Sequence, residues 1–288
     1  MRISIVTPSL NQCGFIPEML ASLGSQDYLD WEHVVFDAMS TDGSVQVWRE
    51  WEGKMRSESE GVTSECERRV RVFVAPDRGQ SDAINKGMRV ATGGIVGWLN
   101  ADDVLLPGAL AKVAEAFEKN PDAVVVYGVG AKTDLEGRII KKVPFREFSP
   151  KRLSYAFGAV QPAMFFRRDV YWKVGGLDES LHYAMDWDLL LKLAKIGKVV
   201  AIPGHLANIR YYPETKTNTG GWKRMREIAR IARHHNGFFD RNNLSFCIRD
   251  LLSRQPLGWP RGLFDHLCWN LFKDPPLMVQ GWPSESEG

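Results

Sequence analysis

Read for its alternation of apolar and polar positions, the chain falls into unlike stretches. Up to about residue 127, short β-branched and apolar runs alternate with helical patterns. That is the signature of a mostly parallel sheet covered on both faces. The runs predict strands over residues 3–6, 33–37, 70–75, 95–99 and 124–127. Between them, apolar spacing predicts helices over 17–25, 44–51, 81–91 and 109–119, with Ser81 and Asp82 capping the third. Residues 52–69 are rich in Glu, Ser and Arg and read as a loop. Beyond Tyr127 the pattern predicts an antiparallel hairpin over 131–143 and a short strand over 163–167. An amphipathic helix over 186–196 follows, with Leu189, Leu190 and Leu193 as its apolar face, and then strands over 199–202 and 207–211. After residue 215 the chain reads as helical, over 221–235, 244–253 and 262–272, with a Pro-rich end. The expectation is an α/β domain over 1–215, with a Rossmann-like nucleotide-binding half and a mixed acceptor-side half, and a helical extension over 216–288.

Composition narrows this picture. With 288 residues the chain can bury a full core, and 44% hydrophobic with 25% charged residues is ordinary for a globular protein. Cys13, Cys66, Cys247 and Cys268 lie in no CxxC spacing, so neither a zinc site nor a disulfide framework is indicated. No stretch approaches the roughly 20 apolar residues of a membrane helix, and the apolar start is too short for a signal peptide. A cytoplasmic protein is expected. The net charge of +2 conceals an asymmetry: residues 215–273 hold eleven basic and four acidic side chains, or +7, which leaves −5 elsewhere. This segment also holds a stripe of Leu263, Leu267 and Leu271 with Trp259 and Trp269 close by and Trp282 beyond. Such a helix either packs on the domain or lies at the inner face of a membrane against anionic headgroups. Nucleic acid is not expected, since no aromatic-interleaved binding motif accompanies the charge.

The candidate chemistry begins at Trp98-Leu99-Asn100-Ala101-Asp102-Asp103, where an apolar strand runs into polar side chains at its C-terminal end. Open α/β sheets bind ligands at that edge. Adjacent carboxylates are hard oxygen ligands suited to Mg²⁺ or Mn²⁺ carrying a phosphate, although Asp102 or Asp103 could equally cap the helix that follows. Asp37 with Asp42, Asp77, and Asp186 with Asp188 lie at or just past other predicted strand ends or helix starts, converging on one crevice. A carboxylate at Asp186 is placed to take a proton from an attacking alcohol, or else to cap its helix.

Several of these segments match a known pattern together. Residues 3–12, Val35 through Gly43, Asp77 through Gly87, Trp98 through Asp103, Gln161-Pro162-Ala163 and Met185 through Leu189 resemble the family 2 glycosyltransferases in order and spacing, from residue 3 to about 211. The resemblance implies a GT-A fold, a nucleotide-sugar donor (UDP-linked by family frequency), a divalent cation and inversion at the anomeric carbon. It implies that Thr7, Pro8, Ser9 and Asn11 surround the nucleobase and ribose, and that Asp37, with Asp42 nearby, accepts from the base. Asp77, Gly79, Asp82 and Asn85 would hold base and donor sugar, Asn100 the ribose or phosphate, and Asp102 the metal. On the acceptor side it places Gln161, Gly176 and Trp187, with Asp186 as general base acting on a glycan or lipid-linked acceptor. The sequence departs from the family at Asn100, which cannot serve as an anionic ligand, and at Met185, where a glutamate is common. His182 and His205 are further candidates for the metal, though an isolated histidine is more often structural. Nucleotidyl transfer would want a Gly-rich basic loop after the first strand, and Thr7 to Asn11 supplies none. A degenerate nucleotide-sugar-binding protein is the other alternative.

Overall fold

In the computed structural model, which describes residues 1–57, 69–154 and 159–237, the first half is built on four parallel strands. These are β1 (Ile3–Ser9), β2 (Trp31–Asp37), β3 (Val70–Val74) and β4 (Ile95–Trp98), side by side in the order β3-β2-β1-β4. β1 runs three residues further than its apolar run predicts, because Thr7, Pro8 and Ser9 continue the register opposite Val35, Phe36 and Asp37. Pro8 is tolerated there since the pairing with β4 ends at Val6, so no ladder partner needs its missing N–H. The crossovers are α1 (Ile16–Gly24), α2 (Ser44–Ser57) and α3 (Gln80–Val90). α2 outlasts its predicted end at residue 51, since Trp48, Trp51 and Met55 form one buried stripe that carries the helix through the polar Glu52 and Lys54. The first part of the expected 52–69 loop is therefore helix, and residues 58–68 lie outside the described part.

The second half makes the sheet mixed rather than mostly parallel. It comprises β5 (Val104–Leu105), α4 (Ala109–Lys119), β6 (Ala123–Thr133), β7 (Ile139–Lys142), α5 (Pro150–Leu153), β8 (Met164–Arg167), α6 (Arg168–Lys173), α7 (Met185–Ala194) and β9 (Lys198–Arg210). β8 enters antiparallel between β4 and β6, β9 lies parallel to β6, and β7 forms the expected hairpin with β6. The two strands expected over 199–211 are one. Its Pro203 and Gly204 fall where Tyr127 faces Ala201 but Val129 faces His205, so the surplus residues bulge out and pairing resumes.

Two apolar cores cover the sheet's faces. One joins α1, α2 and α4 to it through Met19, Trp48 and Phe117, and the other joins α3, α6 and α7 through Ile84, Tyr171 and Leu189. After α8 (Lys216–Thr219), the helix α9 (Gly221–Asn236) buries Ile228, Ile231 and Ala232 in the second of these cores. The start of the predicted extension is thus packed on the domain, while the helices expected at 244–253 and 262–272 lie outside the described residues. No helix among the described residues is long and apolar enough to cross a membrane.

Candidate active site

The parallel strands deliver four loops to one edge, and the first two are laced together. Asn11 and Met39 both adopt positive φ (51° and 62°), a conformation that costs a non-glycine residue energy and persists only when its surroundings fix it. The bonds that fix them run between the two loops. Asn11 N–H donates to Ser40 Oγ (2.8 Å), Thr41 N–H to Asn11 Oδ1 (2.9 Å) and Cys13 N–H to Asp42 Oδ2 (2.9 Å). Asp37 is buried and accepts from Ser9 Oγ, Ser40 Oγ and Ser40 N–H at 2.7–2.8 Å. Burial raises the pKa of Asp42, but the Ser44 and Cys13 bonds outweigh it and hold it below the usual carboxylate range.

Thr7, Pro8 and Ser9 are buried, so their side chains form the floor of the crevice instead of its ligand surface. Trp51 donates to His33 Nδ1 (3.2 Å), which leaves the proton on Nε2 to be given to Thr7 Oγ1 (2.8 Å). Burial pushes the His33 pKa to about 3, so the ring is neutral. Ser9 Oγ accepts from Trp48 (3.0 Å) while donating to Asp37. The surface of this first loop is left to Leu10, Asn11 and Gln12.

The third loop starts α3. Its N-cap is Gly79 at φ 126°, so neither Ser81 nor Asp82 caps the helix as expected. Asp77 Oδ1 accepts Gly79 N–H (2.8 Å) and Asp82 Oδ2 accepts Arg78 N–H (2.9 Å), satisfying donors just before the helix. Asp82 is buried between Arg78 and Lys86; burial raises its pKa, but those partners hold it at about 2. Ser81 Oγ donates instead to Leu181 O and Met185 Sδ, tying α3 to the start of α7. Asn85 is also buried and spent: it accepts from Tyr171 Oη and Leu177 N–H (3.1 Å) and donates to Leu177 O (3.0 Å). It pins the Gly175-Gly176 turn, where a side chain on Gly176 (φ 70°) would meet Asn85 Oδ1 at 2.9 Å. Asp82 and Asn85 therefore shape the wall, and Gly176 is held by its back.

The fourth loop carries the carboxylates. α4 is capped by Gly108 and not by Asp102 or Asp103, which removes the capping alternative. Asn100 Oδ1 accepts from Gln80 (2.8 Å), and its amide donates to Asp103 (2.9 Å) and Gln161 (3.2 Å), whose own amide donates to Trp98 O (2.8 Å). Asp103 is buried and also accepts Arg210 N–H (3.1 Å). Asp102 is partly exposed, with Oδ2 accepting Tyr212 Oη (2.9 Å) and Gln12 bonding the same carboxylate. Burial raises both aspartates, Asp103 well above the usual range because the Asp102 charge adds to it.

These carboxylates fit a divalent cation in a specific way. Two adjacent, desolvated acids with raised pKa carry negative charge that Arg210 offsets only in part, and a cation relieves the remainder. Asp103 is occupied by Asn100 and Arg210, so Asp102 alone can offer a carboxylate oxygen. One carboxylate completed by phosphate oxygens and water suits Mg²⁺ or Mn²⁺. Among the described residues no three His, Cys, Asp or Glu side chains gather into a metal site. His205 is bonded to Asn208 (3.0 Å) and His182 is an exposed residue outside the carboxylate turn, so neither completes one.

Across the crevice, α7 begins at Met185 with Ala184 as its N-cap, so Asp186 is not the cap. Asp186 accepts Trp187 N–H (2.8 Å), and burial pushes its pKa up to about 6 against the pull of that bond and of Arg224. Trp187 is buried and donates to Leu153 O (2.7 Å), holding α5 rather than facing an acceptor. Asp188 is buried against Lys192 (2.6 Å) and His235 (2.7 Å), which excludes it as a free base.

Three contributors to this region, Tyr212, Lys216 and Glu227, lie beyond the motifs, and a fourth, Gln80, lies inside the Asp77 to Gly87 segment. Gln80 bridges Asn100 to Lys216, whose Nζ donates to Gln80 Oε1 (2.8 Å). Tyr212 holds Asp102. Glu227, on α9, accepts three consecutive backbone N–H groups, those of His182, Tyr183 and Ala184, at 2.6–2.8 Å. It supplies from another helix the N-terminal cap that α7 lacks, one turn from Asp186. The spacing of Tyr212, Lys216 and Glu227 carries no local signal of this role.

The chain belongs to glycosyl transferase family 2, whose family profile matches residues 4–175. It is 33% identical over 215 residues to the O-antigen biosynthesis protein RfbC of Myxococcus xanthus, covering 73% of this chain but only 16% of that protein. The Staphylococcus aureus protein TarS (residues 1–349), solved in complex with UDP-GlcNAc, superimposes with a TM-score of 0.63 at 19% identity, covering 88% of this chain and 72% of TarS. The mannosyltransferase PcManGT of Pyrobaculum calidifontis, solved with GDP-Man and Mn²⁺, gives 0.61 at 17% identity, covering 96% and 81%. The mixed sheet and these neighbours establish the expected GT-A fold.

Proposed function

We propose that the chain transfers a hexose-type sugar from a nucleotide-sugar donor, UDP-linked in our reading, to a hydroxyl of a glycan or lipid-linked acceptor with inversion. The observation that carries the proposal is a pair of perturbed acids joined through one set of contacts: Lys216, on which the Asp186 charge acts, bonds Gln80, which bonds Asn100 two residues before Asp102. Asp102 lies on the strand-end turn, and Asp186 is raised to about 6 at the start of α7. In this reading Asp186 takes the hydroxyl proton while the acceptor oxygen bonds the anomeric carbon. The bond from that carbon to the β-phosphate oxygen breaks, its electron pair leaving with the diphosphate. One base and one displacement invert the centre, whereas a double displacement would need a second carboxylate as nucleophile. Asp102 would hold Mg²⁺ or Mn²⁺, which when bound neutralises charge on the diphosphate.

The buried residues Thr7, Ser9, Asp37, Asp82 and Asn85 then act by shaping the donor pocket, with Asp42 bracing the first two loops and Asn11, Asp77, Gly79 and Asn100 at its surface. We assign residues 1–215 to catalysis, with the extension from 216 lending α8 and α9 to the site. The basic, tryptophan-bearing sequence beyond residue 237 is assigned to contact with anionic lipid at the inner membrane face. Hydrolysis of a panel of UDP-, GDP- and TDP-sugars by the full chain, with Mn²⁺ or Mg²⁺ and with chelator, tests the reading. Release of nucleoside diphosphate from at least one donor is expected. Donor binding without turnover would favour a degenerate nucleotide-sugar-binding protein, and no binding of any donor would favour an unrelated role.

A further inference from the structure

Lys216 poses a physical problem that the proposed chemistry has not used. Its ammonium is partly buried, yet its hydrogen bond goes to a neutral amide oxygen, Gln80 Oε1, and among the described residues Glu227 and Asp186 act on it only from beyond ion-pair distance. Taking a charge out of water without an opposite charge is unfavourable, and proteins rarely retain the arrangement without a compensating partner. Its surroundings say where that partner would lie. Gln80 hands the contact on to Asn100, two residues before Asp102, and Gly79-Gln80 opens α3, whose first N–H groups face the same edge. The turn that carries Lys216 is fixed by Thr215 N–H (3.1 Å) and Asn218 Nδ2 (2.7 Å) donating to Tyr212 O. That one turn therefore sets Tyr212 on Asp102 and Lys216 on Gln80.

We infer that Lys216 is an anion-receiving residue that binds the diphosphate of the donor beside the Asp102 turn and stabilises it as the leaving group. The inference rests on the nucleotide-sugar reading above and names a residue that reading did not assign. It also accounts for Asn100. An amide there removes one negative charge from the turn, which weakens a cation's hold but lessens repulsion of the diphosphate, and a fixed ammonium supplies positive charge from the other side. When the anomeric carbon–oxygen bond breaks, the electron pair moves to the β-phosphate oxygen, and a preplaced ammonium is worth most at that moment. The lowered proton affinity of Lys216 (about 8, from burial and against the pull of Glu227 and Asp186) agrees with a cation awaiting its counter-charge.

The test compares UMP with UDP, and GMP with GDP, by calorimetry in chelator, for wild type, Lys216→Met and Lys216→Arg. A charge-assisted bond corresponds to about a 10- to 100-fold gain in affinity. Wild type should prefer the diphosphate over its monophosphate by that margin, Lys216→Met should lose the preference while keeping monophosphate affinity, and Lys216→Arg should keep most of it. Thermal melts of the unliganded proteins supply the readout a structural lysine would not give. Relief of an unpaired charge should leave Lys216→Met as stable as wild type or more so, whereas a structural lysine would lower the melting temperature. Equal preference in wild type and Lys216→Met overturns the inference and leaves the donor reading standing. Failure of wild type to bind any of the four nucleotides, both in chelator and with Mn²⁺ added, overturns both.

Discussion

Replacing Asp186 by Asn separates proton transfer from architecture, because the two roles predict opposite signs for stability. The amide keeps the shape and the oxygen that accepts Trp187 N–H. It deletes only the charge and the proton-accepting capacity. In the folded protein burial pushes the carboxyl up to about 6 from its ordinary 3.8, which costs ~3 kcal/mol above pH 6 before solvent screening. The side chain is not fully enclosed, so part of that is returned by solvent, and a rise in melting temperature of a few degrees for Asp186→Asn at pH 7.5 is expected.

The sign follows from linkage. Between pH 4 and 6 the folded state keeps a proton that the unfolded state releases, so wild-type stability falls as pH rises through this window. The advantage of Asp186→Asn should therefore be full at pH 7.5 and vanish near pH 4. Over the same range the rate of sugar transfer by wild type should climb as Asp186 deprotonates, with its midpoint near 6 in the free enzyme. Turnover by Asp186→Asn should fall on the order of 10²–10⁴-fold with donor affinity little changed. A folded Asp186→Asn protein with near-normal turnover, or one destabilised at pH 7.5 as loss of a capping carboxylate would produce, refutes the reasoning.

Other residues give sharper local tests. Asp102→Ala should abolish the gain in donor affinity on adding Mn²⁺, measured by calorimetry, and Asn100→Asp should enlarge that gain; equal affinities in wild type and Asp102→Ala would remove Asp102 from the metal. Glu227→Ala deletes the acceptor of three backbone N–H groups and should cost about 1–3 kcal/mol in urea unfolding, with a several-fold fall in turnover because the segment before Asp186 loosens. Unchanged stability would show that water replaces the carboxylate at no cost. Asp188→Asn breaks the buried pair with Lys192 and His235 and should lower the melting temperature while leaving the pH dependence of turnover intact. A displaced pH midpoint in Asp188→Asn would reinstate Asp188 as a contributor to proton transfer.

What the sequence disclosed follows from where information is local. The helix over 109–119 is recovered to the residue because Leu110, Val113, Ala114 and Phe117 repeat on one face between a glycine start and a lysine end. The parallel strands were legible because buried runs on both faces need unbroken apolar residues. Their ends were not, since the hydroxyls of Thr7 and Ser9 are satisfied by His33 and Asp37, residues that come 26 and 28 positions later. The bulge at Pro203-Gly204 misled for the same reason: its cost is offset by a register with β6 that no local window contains. Among site residues, short motifs mark the strand-end loops but do not tell a side chain at the surface from one spent on its neighbours. A polar residue at a strand end can line a ligand or brace its neighbour, and Asn85, with Tyr171 and Leu177 on it, does the second.

The largest omission concerns sign of charge. The motifs that announce the site are almost all acidic, and a crevice built only of Asp37, Asp77, Asp102, Asp103 and Asp186 would repel a diphosphate. The positive contribution had to come from elsewhere in the chain. In the sequence, Lys216 is one of eleven basic residues in a +7 segment, whose pattern fits either packing on the domain or a lipid surface. The fold divides that segment. Arg226, Arg230 and Arg233 stay on the outer face of α9, while Lys216 is drawn inward to Gln80 and Glu227 is turned back onto the start of α7. A helix that contributes Ile228 and Ile231 to the core cannot be removed without also removing the cap before Asp186. Truncation of the chain near residue 215 should accordingly abolish donor turnover, whereas truncation after residue 237 should leave it measurable. Donor hydrolysis by the two truncated proteins, each checked by circular dichroism for a folded sheet, decides the matter; equal activity in both would show that the acidic crevice manages the diphosphate without help from α8 and α9.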